Sequence, residues 1–166
     1  MDDNFYMNEA LKEAQKAFEA GEVPVGAVIV RKRDRKIVGR GHNRRETDKN
    51  PLSHAEIAAI YQAAETLGGW RLIDCELYVT LEPCPMCCGA VINSRLERVV
   101  YGADDYKAGS VSSVQSMFEL PYNHKPKVTA GVMESECSGI LKEFFRRLRI
   151  RKKQERKERS DENIQC

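Results

Sequence analysis

Two short clusters in this chain carry residue types that do chemistry together. His54-Ala55-Glu56 forms one, and Pro83-Cys84-Pro85-Met86-Cys87 the other. Imidazole nitrogen and thiolate sulfur are ligands that zinc favours in tetrahedral geometry. A lone His-x-Glu is common by chance, and a lone Cys-x-x-Cys serves equally as a redox pair or as part of a structural zinc site. Together, His54, Cys84 and Cys87 supply three ligands and leave a fourth position for water, the mark of a catalytic site. Glu56 is then near the metal but free to act as a base. Zinc lowers the pKa of its water to roughly 7, within reach of a nearby carboxylate. The chemistry that follows is hydrolysis at an electron-poor ring carbon bearing an amino group. Glu56 would protonate the ring nitrogen and then the departing ammonia.

The competing reading is a closed structural site with a fourth ligand from Cys88, Cys75 or His42. Cys88 neighbours Cys87 and is poorly placed along a helix to reach the same metal. Cys75 precedes a strand and can pack as a small hydrophobe.

Both clusters fall where strands are expected to pass into helices. Met7, Ala10, Leu11, Ala14, Ala17 and Phe18 recur at helical spacing, and Gly21 ends the pattern. Val25–Val30 reads as a strand, Lys32–Lys36 as a charged turn and Ile37–Gly41 as the return strand of a hairpin. After an irregular stretch from Asn43 to Ser53, Ala55–Leu67 reads as a helix stopped by Gly68-Gly69. Leu77–Leu81 is a strand, Cys84–Asn93 a compact helix, and Arg98–Tyr101 a strand closed by Gly102. Lys127–Val132 supplies a fifth strand. A last helix runs from Glu134 to about Lys157, with Ile140, Leu141, Phe144, Phe145 and Leu148 on its inner face. Alternating strands and helices argue for an α/β layered domain, and the hairpin makes its sheet mixed. In such sheets, sites gather at the carboxyl ends of strands, where helix dipoles also favour thiolates.

The chain has 166 residues, of which 42% are hydrophobic and 31% charged, the balance of a soluble globular protein. One domain over residues 1–159 is expected, with a frayed tail at 160–166. No apolar run reaches the length that spans a membrane. The acidic start Met1-Asp2-Asp3-Asn4 has no secretory character, so the six cysteines read as thiols or ligands and the compartment as cytoplasmic. The net charge of +2 hides an asymmetry: Lys142–Arg159 carries +7 and the remainder −5. A basic helix on an acidic body suits a polyanionic partner, although cations also suit a helix C-terminus.

His-x-Glu with Pro-Cys-x-x-Cys is the signature of zinc deaminases, and the chain closely resembles the bacterial tRNA-specific adenosine deaminases from about Asn4 to Arg149. The resemblance rests on Glu22-Val23-Pro24-Val25-Gly26-Ala27, on Asn43, and on Leu81 through Ala90. It extends to Val100 through Ser110, Asn123-His124, and the Phe144-Phe145-Arg146-Arg147 run. It departs at Asn50-Pro51, where relatives often have Asp-Pro. The resemblance implies a three-layer α/β/α, cytidine-deaminase-like fold with a central five-stranded sheet. It also implies a homodimer, one zinc per subunit, and deamination of the wobble adenosine of a tRNA anticodon to inosine.

By the same resemblance Asn43 contacts the base, and Asp105, Lys107 and Asn123 join it in the substrate site. Phe145 is placed near the RNA, although helical spacing makes it core, and Arg146, Arg147 and Arg149 contact phosphates. Residue by residue, simpler roles exist: Asn43 as a turn residue, Asp105 as a turn cap, Lys107 as a solvated charge. The rival functions are a deaminase of free bases, which leaves the basic helix unexplained, and a non-catalytic RNA-binding subunit, which leaves Glu56 without a purpose.

Overall fold

The computed structural model describes residues 2–164. Asp2 caps the first helix, its carboxylate accepting the Phe5 amide at 3.0 Å, which satisfies one of the free N–H groups at a helix start. That helix, α1, is Asp3–Glu19. The expected hairpin follows as β1 (Gly26–Arg31) antiparallel to β2 (Lys36–His42). Then come α2 (Arg45–Asp48), α3 (Ala55–Leu67), β3 (Cys75–Leu81), α4 (Pro85–Ser94) and β4 (Arg98–Ala103). A 3-10 turn at Met117–Glu119 precedes β5 (Lys127–Thr129) and α5 (Glu134–Ile164). The sheet order is β2-β1-β3-β4-β5. β1 is antiparallel to both neighbours, and β3, β4 and β5 are parallel.

The two-residue period of the strands sorts their side chains into two cores. Ile29, Leu77, Val79 and Val99 face α3 and α4, meeting Ala59, Ala63, Val91 and Ile92. Val28, Val30, Tyr78 and Val100 face α1 and the start of α5, meeting Tyr6, Met7, Ala10 and Cys137. Helices therefore cover both faces, and the expected three layers are present.

The helix that carries His54 and Glu56 at its start lies close on the sheet. α3 turns Ala55, Ala59 and Ala63 toward the sheet, and β2 answers with Gly39 and Gly41. A Cβ on Gly39 would run into the Ala59 carbonyl oxygen, and one on Gly41 into that of Ala55. Ala55 lies between His54 and Glu56, so this contact sets the height of the site over the sheet.

Several elements differ from expectation. The stretch expected to be irregular contains the single turn α2. β4 continues through Gly102 to Ala103, because Gly102 lies under α5, where a Cβ would collide with the Cys137 sulfur. β5 ends at Thr129 rather than Val132, since Gly131 (φ 76°) and Met133 (φ 52°) turn the chain into α5. α5 passes its expected end and reaches Ile164; Gln165 and Cys166 of the expected tail lie outside the described residues. The core assignment of Phe145 is corrected: its side chain is 40% exposed. The first turns of α5 pack on the sheet through Cys137, and Phe144 meets Phe18 edge-on at 5.7 Å. From Arg149 to Ser160 every residue is exposed, so helical spacing there has no neighbour to face.

Gly41→Ala should destabilise the protein by about 1–3 kcal/mol, the usual cost of overpacking. It should also lower metal content by lifting the first turn of α3. Urea unfolding and elemental analysis of the variant check this. A stability and metal content equal to the parent's would show that the contact is not limiting.

Candidate active site

His54 is the N-cap of α3 and Cys84 the N-cap of α4, both with extended backbone. Pro85 follows at the first helical position, where a missing N–H costs nothing. Two helix starts thus converge, with Cys87 one turn into α4. The sulfurs of Cys84 and Cys87 lie 3.7 and 3.6 Å from His54 Nδ1. Zinc bonds of about 2.3 Å to sulfur and 2.1 Å to nitrogen would give tetrahedral N···S edges of roughly 3.6 Å. The donor set therefore fits a metal of that size and preference. Among the described residues these three form the one such cluster of His, Cys and acidic side chains.

The alternative fourth ligands point elsewhere. His42 Nδ1 lies 3.4 Å from Glu13. The Cys88 thiol donates to the Pro83 carbonyl at 3.6 Å. Cys75 is sealed in the core under α3 and α4, where burial pushes its thiol up to about 11. Cys84 behaves oppositely. A hydrogen bond from the Cys87 thiol, then one from His54, holds it down at about 4 despite burial. Cys87, as that donor, is pushed up. Such a proton-sharing cluster is what a cation displaces, because thiolate ligands must be deprotonated.

Glu56 sits in the first turn of α3 and is 3% exposed. Burial pushes its carboxyl above the usual carboxylate range, the direction required of a group that must both accept and donate a proton near neutrality. It opens on a cavity of about 210 Å³ lined also by His54, Cys84, Asn43, Arg45 and Asp105.

The remaining expected residues divide. Asn43 reaches the cavity and also serves as a turn residue: its Nδ2 donates to the Val23 carbonyl at 3.2 Å, and its Oδ1 accepts the Arg45 amide at 3.4 Å. Asp105 likewise lines the cavity while accepting the Lys107 and Ala108 amides at 3.0 and 3.2 Å. Lys107 lies over a second groove with Lys142, Phe145 and Arg149. Arg146 and Arg147 are held by Glu143 at 2.8 and 2.7 Å, and Arg147 also lies 5.2 Å over the Phe18 ring. Asn123 is exposed in the loop before β5 and lines neither space.

Three contributors escaped the sequence reading. Arg45 enters the cavity wall because α2 is tied down by buried Glu22, which accepts the Thr47 amide at 2.7 Å and its hydroxyl at 2.9 Å. Glu82, 2% exposed, accepts amides of the loop after β4. Nothing in the periodicity marks Glu22. For Glu82, the signal was an acidic residue directly before Pro83-Cys84.

The MafB19-like deaminase family model matches residues 1–149. The tRNA-specific adenosine deaminase of Bacillus subtilis is 51% identical over 160 residues, which is 96% of this chain and 98% of that protein. The tRNA-specific adenosine deaminase of Streptococcus pyogenes serotype M1 is 45% identical over 150 residues, 90% of this chain and 86% of that one. A solved structure from studies of A-to-I editing by tRNA:A34 deaminases at the wobble position of transfer RNA superposes with a TM-score of 0.79. It shares 45% identity and covers 82% of this chain and 99% of its own. The guanine deaminase of Bacillus subtilis superposes at 0.60 with 36% identity, over 72% of this chain and 74% of its own.

Elemental analysis should find one transition-metal ion per chain, lost in Cys84→Ala and in Cys87→Ala but kept in Cys75→Ala and Cys88→Ala. Metal retention in the first pair, or loss in the second pair while folded, would redraw the ligand set.

Proposed function

Because the chain belongs to the MafB19-like deaminases and, among them, to the tRNA-specific adenosine deaminases, we propose that its cavity receives the wobble adenosine of a tRNA anticodon. The reaction takes adenosine and water to inosine and ammonia. The observation that carries this reading is Glu56, buried beside the His54, Cys84 and Cys87 cluster and open to the cavity that Asn43 also lines.

His54, Cys84 and Cys87 would hold zinc, which when bound makes water nucleophilic at neutral pH. Glu56 takes the proton from the attacking water, delivers it to the ring nitrogen beside the amino-bearing carbon, and supplies the proton with which ammonia departs. Asn43, with an amide that both donates and accepts, orients the base or its ribose. The buried walls keep bulk water from the carboxyl group. A base inside a structured RNA must be splayed out to reach such a pocket.

The groove of Lys107, Phe145 and Arg149 adjoins the cavity through Ala108, which lines it. It offers an exposed ring for stacking a neighbouring base and cations for phosphates. Arg146 and Arg147 add positive charge along α5, and Asn123 contributes from the loop before β5. These features favour RNA over a free base such as guanine, which brings no phosphates. A homodimer is supported by exposed Leu52, Tyr61, Trp70 and Ile73, which are 55–66% accessible, and by α4, whose sequence has no charged residue. Among the described residues no helix is long and apolar enough to cross a membrane, and a cytoplasmic setting is where the substrate would be met.

Incubation of the metal-loaded protein with an arginine tRNA anticodon stem-loop should yield inosine, with guanine left unchanged. Inosine absent and xanthine formed from guanine would reverse the assignment. Glu56→Ala should keep its metal and fold yet lose at least about 10² to 10⁴-fold in turnover. Activity within a few-fold of the parent would give the proton to another group.

In that inactive background, binding to the stem-loop should weaken steeply with salt. Changing Lys107 and Arg149 to Gln should reduce the slope of log affinity on log salt by about 0.7 per single-stranded phosphate contact removed. An unchanged slope would return α5 to the role of a solvated face.

A further inference from the structure

Glu82 is a buried carboxylate that the chemistry above does not use. It lies between the last residue of β3 and the ligand Cys84, and it is 2% exposed. Burying a carboxylate this deeply is costly unless its oxygens are met by donors. Here the donors come from one loop. Oε1 accepts the consecutive amides of Val111, Ser112 and Ser113 at 3.1, 2.8 and 3.0 Å. Oε2 accepts the Asp105 amide at 3.0 Å and the Ser113 hydroxyl. One side chain therefore ties both ends of the Asp105–Ser113 segment to a single point. The Ser110 amide adds a bond to the Pro83 carbonyl at 2.9 Å. Gly109 closes over the carboxylate so tightly that a Cβ would strike it.

The tied segment has a position that matters. Asp105 and Ala108 line the cavity, and Lys107 between them faces the second groove. Two residues beyond Glu82 the same chain becomes the metal ligand Cys84. The carboxylate thus couples the ligand segment to the substrate wall. We infer that Glu82 is a positioning residue for substrate, holding the Asp105–Ser113 loop as a wall of the cavity and so setting how firmly the nucleoside is seated. This rests on the adenosine reading of the same cavity. A group that only stabilises the fold changes the folded fraction but not the substrate affinity of the folded molecules.

Glu82→Gln keeps the shape and replaces one acceptor oxygen by an amino group facing N–H donors. The metal-loaded full chain is the material, with metal content measured first. Hydrogen exchange at Asp105, Val111, Ser112 and Ser113 should accelerate by about tenfold or more as the loop opens locally. On the anticodon stem-loop KM should rise about tenfold while kcat stays within about threefold, the pattern of lost seating rather than lost chemistry. Unchanged loop exchange, or an unchanged KM in folded, metal-loaded variant, overturns the inference. Should Glu82→Gln not fold, Ser113→Ala removes one donor from the loop side. It should raise KM in the same direction by a smaller factor, and an unchanged KM overturns the inference equally. If the parent makes no inosine from the stem-loop, the substrate reading fails by itself. Loop exchange then decides on Glu82: faster exchange sustains its hold on the loop, and unchanged exchange ends it.

Discussion

The convergence of two helix starts on one point is the constraint around which this molecule is arranged. His54 and Cys84 each occupy an N-cap, and their donor atoms must come within 4 Å without a bond between them. That proximity demands that α3 and α4 lie side by side on the same face of the sheet. It also demands that α3 rest close to the strands, which the alanine face of the helix and the paired glycines of β2 permit. A larger side chain on either surface would gain buried area yet separate the ligands. Apolar burial is plentiful elsewhere in the core, so here geometry takes precedence over contact area.

The same economy governs the acids. Glu13, Glu22, Glu56 and Glu82 are all 3% exposed or less, and a buried carboxylate is tolerated only where donors or cations reach it. Glu13 meets Arg40, Lys16 and His42. Glu22 meets donors of the single turn α2 on the Arg45 side of the cavity, and Glu82 meets donors of the loop after β4 on the Asp105 side. Among the described residues no buried side-chain polar atom lacks a partner. Glu56 and Glu82 both border the cavity beside the cluster, but the oxygens of Glu82 are taken up by loop donors, and Glu56 is the group to which the proposed mechanism gives the proton. The loop after β4 is thereby tied at both ends without sheet or helix of its own.

Charge is distributed by distance from the centre. The body that builds the cavity is acidic overall, and the positive charge is concentrated on the exposed length of α5. Some of that charge is already engaged, since Glu143 holds Arg146 and Arg147. Arg149 and Lys142 instead share a groove with Lys107, whose loop leads back to the cavity. An exposed ring, Phe145, lies in that groove. In the proposed reading, affinity for a long polyanion and selection of one base fall to adjoining but separate surfaces, linked by the segment that Glu82 contacts.

Residue types and spacing singled out the candidate cluster, with the chemistry proposed for it, and most of the elements. The ligand set, Glu56, the hairpin, both helices with ligand-bearing N-caps, and the mixed sheet follow from local patterns, because capping, periodicity and metal preference are local physics. Where local signals failed, a distant neighbour decided. Gly102 stays within β4 because Cys137 lies 35 residues ahead in the chain and packs against it. Phe145 is exposed because α5 runs past the body that would have covered it. Which of the four basic side chains Lys107, Arg146, Arg147 and Arg149 share a groove could not be read from their spacing, since Lys107 comes from another element. Glu22 had no periodic signal, and Glu82 only its place before Pro83-Cys84, for the same reason. A carboxylate becomes a structural post only when the fold carries backbone donors to it, and those donors carry no side-chain signature.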